Sequence, residues 1–252
     1  MTIFDREAAT YEAVRPSYPA ALVDDVIALA RVPPGGRVLE VGSGTGQATR
    51  LFAARGVDVT AVEPGPQLAA ATRAHVPAAH VVQARFEDLT LPRVYKLVYS
   101  ATAWHWIDPA RGYARAHDAL VRRGMLALFW NEHVRGDDDV GFFDATQELY
   151  EAAGMGRFRL APVTELRDRT PAIVASGHFG EVVRSYYPWR AEYDAATYAR
   201  LLGTYSDHLR LDADVRARLL DGIAQLIDAR FGGRIAKHYV ADLYVARAIN
   251  RA

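Results

Sequence analysis

Between residues 37 and 132, short β-rich runs alternate with helical patterns, and this rhythm restricts the fold more than any other feature of the chain. Arg37-Val38-Leu39-Glu40-Val41 reads as a strand, set off by the breaker Pro33-Pro34-Gly35-Gly36. A helix is predicted from Gly46 to Arg55, with Gly56 suited to its C-terminal end. Val57–Val62 reads as a second strand, Pro64–Ala74 as a helix, His80-Val81-Val82 as a third strand and Lys96–Ser100 as a fourth. Pro109–Val121 is predicted helical, with Asp108 as N-cap and Pro109 as first residue. Met125–Trp130 is a fifth strand, entered through Gly124. Such alternation predicts a doubly wound, mostly parallel sheet with helices on both faces. The near-continuous apolar strands agree, because central parallel strands are buried on both sides. Ligands in such sheets bind at the carboxyl ends of the strands, so the loops there are the place to look for function.

After residue 132 the rhythm breaks. Gly136–Asp139 reads as a turn and Phe142–Ala153 as helical. Val182–Trp189 reads as a strand, followed by helices at about 194–206 and 213–230 and a last strand, Lys237–Ile249. The stretch 142–205 holds eleven of the 26 aromatic residues, which serve either as ordinary core or as a wall over a binding edge. The resulting expectation is one domain of seven strands: an N-terminal segment (1–34) over the site, a cofactor-binding core (35–133), a helical and aromatic cap (134–178 and 194–232) and a final strand.

Composition narrows the partners. Thirty basic and thirty acidic side chains leave no net charge, which removes the main electrostatic argument for nucleic acid or an anionic membrane. With no cysteine, disulfides, thiolate nucleophiles and Cys-ligated metals are excluded. No histidine spacing suggests a ligand set, and no metal is expected. The apolar stretches are too short to span a bilayer, and the charged N-terminus lacks the core of a signal peptide. A cytoplasmic protein is the expectation.

The sharpest motif is Glu40-Val41-Gly42-Ser43-Gly44-Thr45-Gly46, between a strand and a helix. Glycines at alternate positions strip a tight turn of side chains, so that its N–H groups and the helix N-terminus can approach a ligand. A dinucleotide loop would read Gly-x-Gly-x-x-Gly; here Gln47 takes the place of its last glycine. Glu63 closes the second strand 21 residues after Gly42, where an acid can accept from ribose hydroxyls or favour the helix that follows Pro64. Two other readings of these residues stay open: a nicotinamide-dependent oxidoreductase, and a non-catalytic protein that keeps the fold.

Together with the order of elements, Val38–Gly46 and Glu63 resemble the class I S-adenosylmethionine-dependent methyltransferases. Tyr95–Asp108 and Tyr11…Arg15-Pro16-Ser17-Tyr18-Pro19 are similar to the small-molecule "type 11" branch, which includes trans-aconitate-methyltransferase-like proteins. The resemblance implies S-adenosylmethionine as cofactor and methyl transfer to O, N or C of a small metabolite or natural product. It implies that Gly42, Ser43, Gly44, Thr45 and Gly46 line the methionine and ribose part, that Glu63 binds the ribose diol and that Pro64 lies against adenine. Arg85, Phe86 and Glu87 would flank the adenine edge, with Arg85 standing where relatives often carry an acid. Ser100, Ala101 and Trp104 would complete the cofactor site, with Tyr11 and Arg15 folded over it.

The donor in this chemistry is a sulfonium, so catalysis can rest on positioning and exclusion of water, with a base needed only where the acceptor must lose a proton. Trp104-His105-Trp106 follows the fourth strand at the ligand edge. An indole face can hold a cation or a flat substrate. His105 suits a substrate contact or general base, or else a structural role, and Trp106 a wall or core position. Tyr18, His133 and Trp189 are further substrate-side candidates. No Asn/Asp-Pro-Pro-aromatic sequence follows the fourth strand, which argues against base or glutamine methylation, and the aromatic cap suits a small, planar or partly apolar acceptor.

Overall fold

The structure, a computed structural model, describes residues 16–136 and 141–250. Seven strands form one sheet: β1 (Arg37–Val41), β2 (Asp58–Val62), β3 (His80–Val82), β4 (Tyr95–Ala101), β5 (Leu120–His133), β6 (Phe179–Asp194) and β7 (Arg234–Ala248). Their order is β3-β2-β1-β4-β5-β7-β6. All neighbours from β3 to β5 pair in parallel, whereas β7 runs antiparallel to both β5 and β6, so one strand of seven is reversed. The connections change direction between β1 and β4, which leaves a crevice at the carboxyl ends of those two strands.

Two apolar layers cover the sheet because side chains alternate along each strand. Leu97, Tyr99, Ala127 and Phe129 face α1 (Ala20–Ala30) and α2 (Gln47–Ala53) through Leu22, Val23, Val26 and Phe52. Leu39, Val98, Leu126 and Leu128 face the other way, with α4 (Pro109–Ala119) packed there through Tyr113 and Ala116. Helix α3 (Pro66–His75) follows β2. Asp108 caps α4 by accepting from the Ala110 N–H, with Pro109 in its first turn, as the sequence predicts.

The last three strands are long, at 14, 16 and 15 residues for β5, β6 and β7. At about 3.3 Å per residue each reaches about 50 Å, so they extend well past the short strands beside them. Their overhanging ends carry a third apolar cluster made by α5 (Phe142–Ala145), α6 (Gln147–Ala152), α8 (Ala195–Leu202) and α10 (Ala213–Arg230). Between α8 and α10 lies the short α9 (Ser206–Leu209). Helix α7 (Thr170–Ala175) does not join this layer; its Ile173 packs into the sheet core with Phe179.

Several boundaries differ from the sequence reading. Gly46 stays outside α2 because its φ of 92° is left-handed. Helix α4 ends at Ala119, since Leu120 already pairs with Tyr95. The stretch predicted as one helix from 142 to 153 is two, broken at Thr146, and the helix predicted over 194–206 stops before Gly203. Strand β6 runs through Pro188, which an edge strand tolerates because one side of its backbone needs no partner.

Candidate active site

A cavity of about 1000 Å³ opens at the β1/β4 crevice. The loops after β1, β2, β3 and β4 form its floor and sides, and the segment Tyr205–Arg210 around α9 closes one wall.

The loop after β1 is shaped by backbone. Gly42, Gly44 and Gly46 have φ of 76°, 58° and 92°, a region that L side chains rarely adopt. At Gly42 a Cβ would stand 2.5 Å from the Ala103 Cβ, so only glycine lets the β1 and β4 loops meet. The loop is also held from behind by α3. Thr72 donates its hydroxyl to the Gly44 carbonyl at 2.7 Å and lies 3.2 Å from the Ser43 hydroxyl, while His75 Nδ1–H donates to the Thr45 carbonyl at 2.9 Å.

Two buried acids face this loop. Glu63 accepts from the Gly44 N–H through Oε2 and from the Gly65 N–H through Oε1, both at 2.9 Å. The glycine loop and the β2 loop are thereby tied to one carboxylate on the cavity wall. Glu40 is fully enclosed; its Oε2 accepts from the Thr49 hydroxyl at 2.6 Å and the Tyr99 hydroxyl at 3.0 Å. Its Oε1 has no hydrogen-bond partner among the described residues, although Glu40 lines the cavity. Burial, opposed by the two hydroxyls and aided by the Glu63 charge, leaves the Glu40 pKa raised to about 7.

The loops after β3 and β4 lock together. Glu87 is buried and accepts from the Asp108 N–H at 3.1 Å, with Arg85 at 3.5 Å, and Arg111 donates to the Glu87 carbonyl at 2.7 Å. Tyr18 closes over the β4 loop: its hydroxyl is 2.8 Å from the Thr102 hydroxyl and its ring meets Phe129 edge-on.

Of the residues expected from sequence, Gly42, Ser43, Gly44, Thr45, Glu63, Pro64, Arg85, Phe86, Glu87, Ala101, His105, Trp106 and Tyr18 line the cavity. Others stand apart from it. Gly46 faces α3, where a Cβ on it would stand 3.3 Å from Thr72 and Val76. Ser100 donates to the Val41 carbonyl at 2.7 Å, fastening β4 to β1. Trp104 turns into the core between Phe86 and Tyr113, because an indole there gains more from burial than from the cavity edge. His133 is half-buried against Phe143, and desolvation followed by the nearby Lys237 and His238 holds its pKa well below the usual value. Trp189 stacks on Tyr239 at 4.6 Å on the overhang of the sheet. Tyr11 and Arg15 lie outside the described residues.

Thr72, His75, the wall Tyr205–Arg210 and a role for Glu40 of its own were not singled out from sequence. Glu40 carried a signal: an acid inside an otherwise apolar central strand is out of place unless it has work to do. The others carried none, since their positions depend on packing between distant segments.

Residues 39–128 match the family model described as "Methyltransferase domain". An uncharacterized methyltransferase of Mycobacterium tuberculosis is 31% identical over 226 residues, covering 89% of this chain and 85% of the relative. This chain belongs to the type 11 branch of the class I S-adenosylmethionine-dependent methyltransferases. The fold agrees. A solved putative type II methyltransferase from Anaeromyxobacter dehalogenans superposes with a TM-score of 0.63 at 21% identity, covering 92% of this chain and 97% of that one. A phosphoethanolamine N-methyltransferase from Haemonchus contortus, solved with S-adenosyl-L-methionine, superposes with a TM-score of 0.53 at 14% identity, covering 98% of this chain and 57% of that one. As a methyltransferase of this branch the protein is an enzyme, and among its described residues no helix is long and apolar enough to cross a membrane.

The site's own chemistry fits the family's cofactor. A cationic amino group would satisfy the bare, buried Glu40 Oε1. A Cβ built on Gly44 meets nothing within 4 Å, so the main chain there is open to a close ligand. The cavity volume is at the upper end of the range for small-molecule sites, large enough for a nucleoside-sized group with a small acceptor beside it.

Proposed function

We propose that this methyltransferase holds S-adenosylmethionine in the crevice between β1 and β4 and methylates a small molecule seated under the Tyr205–Arg210 wall. The observation that carries the reading is Glu40, a buried carboxylate at the cavity wall with one oxygen that has no hydrogen-bond partner among the described residues. An uncompensated buried charge is costly, so a cationic partner for that oxygen offsets a penalty the empty fold bears.

Glu40 would receive the amino group of the methionine part, the open backbone at Gly42–Gly44 would lie along the chain and ribose, and Glu63 would accept from the ribose hydroxyls. Glu63 arrives oriented because two backbone N–H groups fix its carboxylate, and a carboxylate oxygen can accept more than one hydrogen bond. Pro64, Leu68 and Phe86 supply the apolar side for a purine. When bound, the cofactor supplies an electrophilic methyl group on a good leaving sulfur. The protein's contribution is to hold the acceptor in line and keep water away. Trp106, His105 and the α9 wall lie where that acceptor would sit; Trp106 is 55% exposed, which leaves indole surface for an acceptor to cover.

Titration calorimetry with S-adenosylhomocysteine tests the cofactor reading. Binding is expected, and Glu63→Ala should weaken it by about 1–3 kcal/mol, the scale of hydrogen bonds involving a charged group. No heat with either form of the cofactor, on folded protein, would remove the proposal.

A further inference from the structure

His105 is the histidine that lines the cavity, and its protonation is set from behind. Trp130, on β5, donates its indole Nε1–H to His105 Nδ1 at 3.3 Å. An indole nitrogen can only donate, so Nδ1 must carry a lone pair, and the neutral ring then keeps its proton on Nε2. Trp130 is itself clamped. The Arg169 guanidinium lies 4.0 Å over its ring centroid, and Tyr244 meets the indole edge-on at 6.1 Å. Arg169 is in turn held by Glu132 at 2.7 Å and by the buried Asp242 at 3.6 Å. Asp242 is fixed by two hydrogen bonds from Arg184, each 2.9 Å, and one from Tyr244 at 2.8 Å.

The same arrangement disfavours a second proton on the imidazole. Partial desolvation, then the Arg169 charge, holds the His105 pKa below its usual value, though one side of the ring stays open to solvent. Its ring also meets Trp106 at 4.9 Å, and among the described residues no carboxylate pairs with it.

We propose that Trp130 and Arg169 are positioning residues that lock His105 as a neutral Nε2–H hydrogen-bond donor at the cavity wall. Its basic nitrogen is occupied by the indole, so His105 offers the acceptor a hydrogen bond instead of removing its proton. The acceptor therefore presents to this wall an oxygen or nitrogen with a free lone pair, and any proton it sheds goes to a group other than His105. This rests on the cavity being the methyltransferase site, but the tautomer itself belongs to the free protein and is measured without cofactor or acceptor.

The test is nitrogen-15 NMR of the full chain labelled at histidine, with the His105 signals assigned by their loss in His105→Gln. At pH 7 the expected pattern is a protonated Nε2 and a bare Nδ1. Trp130→Phe keeps a ring but removes the donor; the tautomers should then mix, and the His105 titration midpoint should rise by about 0.4–1 pH unit, the loss of one ordinary hydrogen bond to the neutral form. Arg169→Gln removes the cation and should also raise the midpoint. A protonated Nδ1 in the wild type, or a folded Trp130→Phe with unchanged His105 signals, would overturn the proposal. If Trp130→Phe does not fold, the wild-type spectrum and Arg169→Gln still decide it, and an Arg169→Gln midpoint that stays or falls counts against it. Calorimetry with S-adenosylhomocysteine on the same samples separates the two ideas, since absent binding would sink the cofactor reading and leave the tautomer result standing.

Discussion

Replacing Glu40 with glutamine should make the free protein more stable while spoiling its ligand site. The wild-type carboxyl is raised from 4.5 to about 7 on folding, chiefly by burial. A group whose folded pKa lies above its unfolded value binds protons more tightly in the native state. Its stabilising contribution is therefore full below about pH 4.5 and is lost as pH rises through 7. A shift of this size corresponds to about 3 kcal/mol between the two limits, at 1.36 kcal/mol per pH unit. The substituted amide would never ionise. Its carbonyl can still accept from Thr49 and Tyr99, and its NH2 group would occupy the position of Oε1, which has no hydrogen-bond partner among the described residues. Weaker hydrogen bonds to a neutral acceptor reduce the gain, so the variant should exceed the wild type by about 1–3 kcal/mol at pH 8 and match it or fall below it near pH 4.5. Urea unfolding followed by circular dichroism at half-unit steps from about pH 4.5 to 8.5 would show the wild-type curve descending and the variant curve flatter. Calorimetry should show S-adenosylhomocysteine binding weakened at least tenfold in the variant. Parallel stability curves for the two proteins would refute the account of Glu40 as a strained, buried acid.

Two further substitutions probe the glycine loop. Gly44→Ala puts a methyl group into open space, so its cost in stability should come from φ alone, about 1–2 kcal/mol by urea unfolding. The methyl also narrows the approach to the loop, so cofactor affinity should drop at least tenfold by calorimetry, and unaltered affinity would place the ligand elsewhere. Thr72→Val keeps shape but removes the hydroxyl that holds the Gly44 carbonyl and neighbours Ser43; with the side chain fully buried, stability should fall by about 1–3 kcal/mol. A neutral effect would mean α3 does not support the loop.

The parallel half of the sheet was readable from sequence because its signals are local. A run such as Val38–Val41 followed by alternate glycines states strand, turn and helix within a short span, and Asp108-Pro109 states a helix start in adjacent residues. The long antiparallel strands were readable only in part. Strand β6 alternates exposed and half-buried residues over most of its length, and its extension to Phe179 and Asp194 depends on pairing with β7, far along the chain. The break at Thr146 follows a side-chain hydrogen bond to the Phe143 carbonyl, a bond that Thr can make but does not have to.

The site divides in the same way. Glycine spacing and an acid at the end of β2 marked from sequence the loops that line the cavity, because that part of the wall is shaped by a backbone conformation that favours glycine. What the sequence could not determine was direction. Trp104 and Trp106 are near neighbours and chemically alike, yet one is core and the other stands 55% exposed beside the cavity. Nor could it show that Trp130 and Arg169, from β5 and from the loop before α7, converge behind His105. Those facts depend on which way side chains turn when distant segments pack, and packing is settled by the whole fold at once.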